Sequence, residues 1–181
     1  MRTPEDTATD PDALLRYGRV VSVDLAGARC TVALDDGDVV STPPLRWIAP
    51  RMGQMLRAWA PPSEGEQVLV ICPGGEIGAG LVLGGITCTA NPAPSDQPVA
   101  LLRFSDGAVF SYDPTTSALL LQLPSGATTT LVSDGGIAIT GDIQLSGTLN
   151  ASGDVVADGI SLKSHTHGGV QAGGASTGEP E

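Results

Sequence analysis

The two histidines of the chain, His165 and His167, are the side chains whose type and spacing are best suited to chemistry. On an extended strand, residues two apart point to the same side, so one chain presents two imidazoles together. Two ligands are too few for a tight metal site. Three chains around a common axis would present six imidazole nitrogens, which is the number that octahedral coordination requires.

Six equivalent nitrogens favour iron(II), with nickel or cobalt as chemically reasonable substitutes, because structural zinc sites hold four ligands. We therefore expect one iron ion per trimer, bound by His165 and His167 of three chains. Six protein ligands leave no open position for water or substrate, so the predicted ion is structural and no catalytic residue is expected. The alternative is a solvent-exposed histidine pair in a flexible tail. The repeat that precedes the pair favours the metal site.

That repeat has a period of six residues and occupies the segment before the histidines. Glycines recur at one position of the period, and apolar or small residues recur at two positions that share one face of a strand. The members are Gly141, Gly147, Gly153 and Gly159; Ile137, Ile143, Leu149 and Val155; and Ile139, Leu145, Ala151 and Ala157. Four such units bury too little surface to fold alone, which predicts a homotrimer wound into an intertwined triple-stranded β-helix.

The first half of the chain alternates apolar and polar residues in short runs. These runs are Val21, Val23 and Leu25; Cys30, Val32 and Leu34; Val39 and Val40 after an Asp36-Gly37 turn; and residues 68–72 and 81–83. About five short strands in about 70 residues predict a small closed barrel of the OB type. Asp10 as cap, Pro11 at the start and Gly18 at the end predict one short helix before the barrel.

The fold class that follows is all-β, with an N-terminal OB-fold barrel and a homotrimeric triple-stranded β-helix. The predicted divisions are a tail with a short helix at 1–17, the barrel at 18–88, a proline-rich linker at 89–99, the shaft at 100–160 and a metal-binding apex at 161–181. The linker carries Pro92, Pro94 and Pro98, which favour extended backbone.

Composition limits the partners and the compartment. Twenty acidic and nine basic residues give a formal charge of -11, which would repel phosphate backbones and argues against nucleic-acid binding. Cys30, Cys72 and Cys88 lack the spacing of a zinc knuckle or a disulfide framework, so we expect buried thiols. The first residues contain no apolar stretch like that of a signal peptide, so we expect synthesis and folding in the cytoplasm.

Together these features resemble the baseplate assembly protein V group of Mu-like and related contractile-tailed phages, also called baseplate central spike proteins. The resemblance covers nearly the whole chain. In the barrel it depends on Tyr17-Gly18-Arg19-Val20, Leu45-Arg46-Trp47-Ile48, Gly65-Glu66-Gln67-Val68-Leu69-Val70, Pro73-Gly74-Gly75-Glu76 and Gly80-Leu81-Val82-Leu83-Gly84; at the tip it depends on His165-Thr166-His167-Gly168-Gly169-Val170-Gln171, Gly173-Gly174 and Thr177-Gly178.

The resemblance implies a homotrimer with an N-terminal OB-fold, a triple-stranded β-helix and an apex that holds iron between HxH motifs, which here are His165 and His167. It also implies a place in the virion at the tip of the tail baseplate. The barrel end would attach to the baseplate hub, and the apex would pass transiently through the host outer membrane when the sheath contracts. Trp47 could contact the hub, although a tryptophan of the barrel core is the simpler interpretation.

Two other functions remain open at this point. A hexapeptide-repeat acyltransferase also trimerises through a β-helix, but its solenoid needs three hexapeptides per coil, and both histidines lie beyond the four units present. A receptor-binding fibre tip would expose aromatic or polar recognition residues near the apex, and the tip sequence has neither.

Overall fold

A computed structural model describes residues 11–35, 40–169 and 173–174. The predicted Asp36-Gly37 turn and the Asp10 cap lie outside the described residues, as do Val39 and most of the segment after Gly169. The chain divides into two compact units after Thr128. Among the described residues, no helix combines the length and the apolar character needed to cross a membrane.

The short helix predicted between Pro11 and Gly18 is wrong in its extent. Helix α1 (Pro11–Leu14) is a single turn, and the first strand, β1 (Leu15–Asp24), begins immediately after it. Gly18 lies within β1 at a close approach to the next strand, because a Cβ atom on this residue would lie 2.5 Å from the carbonyl oxygen of Ala33. The backbone of β1 therefore packs directly against the next strand.

The first unit is built around a six-stranded sheet. Its strands are β1, β2 (Arg29–Leu34), β3 (Val40–Ser41), β4 (Arg46–Trp47), β7 (Gln67–Ile71) and β8 (Leu81–Leu83). The strand order is β3-β2-β1-β7-β8-β4, and all pairs are antiparallel except β4 with β8. Two short 3-10 turns, Pro73–Gly75 and Ile77–Ala79, connect β7 to β8.

The sheet closes on itself beside β4. Leu45, the residue before β4, forms an antiparallel bridge with Cys30 of β2, with N···O distances of 2.9 and 2.8 Å. This bridge joins the last strand in the order back to the second, which produces a curled barrel with few free edges. The all-β class and the OB-type barrel predicted from the sequence are confirmed. The triple-stranded β-helix and the homotrimer stay predictions.

The barrel core consists of small branched side chains and two thiols. Cys30, Val32 and Leu34 are buried, as predicted from their alternation. The other members are Val20, Leu45, Val68, Val70, Cys72 and Val82. Of the alternating residues Val21, Val23 and Leu25, only Val23 packs against the core, and Val20, which is 3% exposed, is buried in place of Val21, which is 49% exposed. A β-bulge between Val20 and Ser22 adds one residue to β1 and moves the following side chains to the other face.

Two further sheets complete the first unit. Strands β5 (Arg51–Met52) and β6 (Arg57–Ala58) form a short hairpin, which we call the β5–β6 arm. Strands β9 (Ala100–Arg103), β10 (Val109–Asp113) and β11 (Ala118–Gln122) form an antiparallel meander. The segment predicted as shaft from residue 100 thus begins with a sheet that pairs within one chain.

The second unit contains one hairpin in its described residues, formed by β12 (Val156–Ala157) and β13 (Ile160–Ser161). Most of the six-residue repeat precedes this hairpin. No backbone hydrogen bond joins residues 137–153 to any other part of the chain that the structure describes.

Candidate assembly and metal site of the C-terminal unit

The apolar positions of the repeat lie at the surface of the single chain. Ile137, Ile139, Ile143, Leu145 and Leu149 are each more than half exposed. Their backbone groups also lack partners within the described chain. Unpaired strands with exposed branched side chains are templates for pairing with other chains.

The hairpin after the repeat is a two-residue turn with a specific sequence signal. Asp158 and Gly159 have φ angles of 49° and 78°, which are the left-handed values that a type I′ turn requires. Val156 pairs with Ser161 and Ala157 pairs with Ile160 on either side of the turn. Gly159 also fits the six-residue period of the repeat, so the hairpin was not predicted although the sequence contains its Asp-Gly signal.

Asp154 holds the two ends of the hairpin together. Its Oδ1 atom accepts a hydrogen bond from the backbone N–H of Lys163 at 3.1 Å, and the backbone N–H of Leu162 donates to the carbonyl of Val155 at 2.9 Å. A hydrogen bond from the Ser161 hydroxyl is the main cause that lowers the pKa of Asp154, and the Lys163 N–H adds to it. The role of Asp154 could not be predicted from the sequence, because nothing in the repeat distinguishes this residue from other polar positions.

Ser161 connects the hairpin to the first histidine. Its Oγ atom accepts the backbone N–H of Ser164 at 2.9 Å and lies 2.9 Å from the hydroxyl of Ser164. Its carbonyl oxygen accepts the backbone N–H of His165 at 3.1 Å and lies 2.9 Å from Nδ1 of the same residue. The backbone and the ring of His165 are therefore both held by one carbonyl.

The structure brings His165 and His167 side by side. Their ring centroids are 5.0 Å apart, and the ring planes are inclined at 74°. Nδ1 of His165 faces a carbonyl, so Nε2 of that ring remains available to a ligand. Within the part of the chain that the structure describes, no group of three or more His, Cys, Asp or Glu side chains could hold a metal ion. One chain thus supplies two imidazoles, and the six-nitrogen site stays a prediction.

The remaining sequence candidates lie in the barrel. Cys30 and Cys72 are buried and free, and burial raises the pKa of the Cys30 thiol. Cys88 is also free but only half-buried, so the expectation of a buried thiol is wrong for this residue. Trp47 is half-buried against the core, and its ring lies 5.3 Å from that of Trp59 at the base of the β5–β6 arm.

Two segments of the chain match known protein families. Residues 16–86 match the Type VI secretion system/phage-baseplate injector OB domain, and residues 159–181 match the GpV Apex motif. The chain is 43% identical over 110 residues to a protein named "Spike protein" from Escherichia phage P2. This alignment covers 60% of the chain and 50% of the phage P2 protein, so the chain spans about half the length of this curated relative.

The barrel of the first unit is therefore similar to an injector OB domain, and the segment that begins at Gly159, in the turn of the β12–β13 hairpin, is similar to an apex motif. The chain is thus similar at both of these segments to phage baseplate spike proteins.

Proposed function

We propose that the protein is a structural spike at the tip of a contractile phage tail. It attaches to the baseplate hub through its barrel and pierces the host outer membrane when the sheath contracts. The observation that carries the proposal is the unpaired, apolar repeat at residues 137–153. Two further copies of the chain would supply the missing hydrogen-bond partners and cover the branched side chains.

A trimer of this kind has the mechanical properties that piercing requires. Each layer of an intertwined β-helix takes one strand from each chain, so loss of one strand would expose the core of all three. Unfolding is then cooperative and slow, and few sheet edges are free to pair elsewhere. A single-chain hexapeptide solenoid would instead pair its repeat coil on coil, and the described residues 137–153 make no such pairing. This observation favours the spike over an acyltransferase, and the protein is proposed not to be an enzyme.

The proposed trimer holds one iron ion between His165 and His167 of three chains. The donor set fits this role, because the Nδ1 side of His165 is engaged by a carbonyl and Nε2 is left for the metal. Histidines that bind metals commonly donate their other ring N–H to a carbonyl or carboxylate. The ion, when bound, would cross-link three chain ends where little apolar surface remains to hold them together.

A surface on the barrel supports the proposed contact with the hub. Met52, Leu56 and Trp59 are each more than half exposed on or beside the β5–β6 arm, and Met55 at its tip is fully exposed. Residues 40–62 contain three arginines and no acidic residue, although the whole chain has a charge of -11. Exposed Met, Trp and Arg side chains are enriched in protein interfaces. We therefore propose that the hub binds here in the virion, after assembly in the host cytoplasm.

The proposal is tested by measuring solution mass and metal content together. The wild-type protein is compared with a double variant, His165→Ala and His167→Ala, by sedimentation equilibrium and elemental analysis. We expect a trimer with one iron ion per three chains, and we expect the double variant to lose the iron. A metal-free monomer would refute both the trimeric spike and the shared site. A metal-free trimer would refute the metal alone.

A further inference from the structure

Asp154 and Asp142 occupy equivalent places in the repeat but have different surroundings. Each follows a glycine of the six-residue period, Gly153 and Gly141 respectively. Asp154 accepts the backbone N–H of Lys163, and a hydrogen bond from the Ser161 side chain lowers its pKa, whereas Asp142 makes no hydrogen bond within the described part of the chain. The six-residue period alone therefore does not account for the hydrogen bond that Asp154 makes.

Hydrogen bonds at the end of the hairpin connect Asp154 and Ser161 to the segment that carries the first histidine. Asp154 accepts the backbone N–H of Lys163, two residues after Ser161, and the hydroxyl oxygen of Ser161 accepts the N–H of Ser164. This arrangement fixes Ser161 at the end of β13, where its carbonyl lies 2.9 Å from Nδ1 of His165. A carbonyl oxygen only accepts, so Nδ1 carries the proton in the neutral ring and the lone pair is on Nε2.

We infer that Asp154 is a positioning residue for His165. It holds the hairpin closed and Ser161 in place, so that the ring of His165 keeps the Nδ1–H form with Nε2 free to bind a metal. The metal part of this inference rests on the proposed function. The ring orientation and the tautomer do not, because they follow from contacts within one chain.

Three variants of the full-length protein separate this role from a general effect on folding. Asp154→Ala removes the acceptor, Asp154→Asn keeps an Oδ1 acceptor for the Lys163 N–H, and Asp142→Ala is the matched control from the same repeat position. The mass of each variant in solution is measured first, so that only correctly assembled proteins are compared.

The first readout is the tautomer of His165 without metal. Because the chain has only two histidines, ¹⁵N labelling of histidine gives few signals, and the His165→Ala variant assigns them. At a pH where the rings are neutral, we expect the Nδ1–H form in the wild type, in Asp154→Asn and in Asp142→Ala. Asp154→Ala should give the exchange-averaged signal of an unrestrained ring. An unchanged signal in Asp154→Ala would overturn the inference.

The second readout is metal binding with Co²⁺ as the probe, followed through its visible absorption and its release to a chelator. Loss of a residue that orients a ligand typically weakens metal binding by about 10-fold to 100-fold, and we expect that loss in Asp154→Ala only. Wild-type affinity and spectrum in Asp154→Ala would contradict a positioning role. A wild type that binds no Co²⁺ and contains no iron would refute the proposed metal site, and with it the role of Asp154 in metal binding. The tautomer experiment would still test whether Asp154 orients the ring of His165 within one chain.

Discussion

Replacement of Ile143 by serine tests the trimeric shaft most directly. Ile143 is 70% exposed in the single chain, so most of its surface is available for burial by neighbouring copies. Full burial of an isoleucine side chain contributes about 1.5–3 kcal/mol, so burial of this fraction contributes about 1–2 kcal/mol per chain. Three symmetry-related copies make the expected loss about 3–6 kcal/mol per trimer. This loss would raise the dissociation constant of the trimer by about 100-fold to 10,000-fold.

Gln144 provides the matched control. It lies between Ile143 and Leu145, so on an extended strand its side chain points to the opposite face. Gln144→Ser changes a residue of the same exposed segment without removing an inward apolar group. Sedimentation equilibrium in a series of urea concentrations would measure trimer dissociation for the wild type and both variants, with the protein concentration held constant because assembly depends on it.

The expected result is a large shift of the dissociation curve for Ile143→Ser and little shift for Gln144→Ser. Equal shifts for the two variants would show that the six-residue period does not direct Ile143 toward a shared core. A chain that remains monomeric at all concentrations would refute the intertwined shaft altogether.

Three further predictions concern the barrel and the meander. Gly18→Ala should destabilise the barrel by about 1–3 kcal/mol in urea unfolding, because the added Cβ meets a neighbouring carbonyl. Thr42→Val should cost about 1–3 kcal/mol in the same assay, because the buried Val32 N–H loses the Thr42 Oγ1 acceptor at 3.0 Å, whereas the exposed Ser41→Ala should cost little. Hydrogen bonds from the Thr116 hydroxyl and the Thr115 N–H lower the pKa of Asp113. The stability that these bonds contribute is present above the unfolded-state pKa of Asp113 and is lost as pH falls through its folded-state pKa. NMR titration should show that Thr116→Val raises the pKa of Asp113, and an unchanged pKa would contradict this assignment.

The barrel shows which parts of the fold follow from local pattern. Cys30, Val32 and Leu34 alternate strictly, so their common face and their burial could be predicted. In β1 a bulge shifts this period, so that Val20 and Val23 face the core and Val21 does not. A bulge depends on pairing with a strand that is distant in sequence, which a local period does not report.

The predictions for the N-terminal helix and for residues 100–122 were wrong for a similar reason. Pro11 and Gly18 are valid start and stop signals, but residues 15–19 pair with β7, and the sheet extends to Leu15. Tertiary pairing here overrides a weak local preference. The meander at residues 100–122 was included in the shaft, because alternation alone does not reveal whether a strand pairs within its own chain or with another.

At the C-terminal tip, the sequence by itself determined the candidate ligands and the need for other chains. Two histidines two residues apart, after an apolar six-residue period, are local facts that require no fold. Only the tertiary structure decided how the first ring is held. Asp154 binds the N–H of Lys163 nine residues later, across a hairpin whose Gly159 also fits the period of the repeat. A hydrogen bond that closes such a loop depends on the turn being formed, so spacing along the chain does not reveal it.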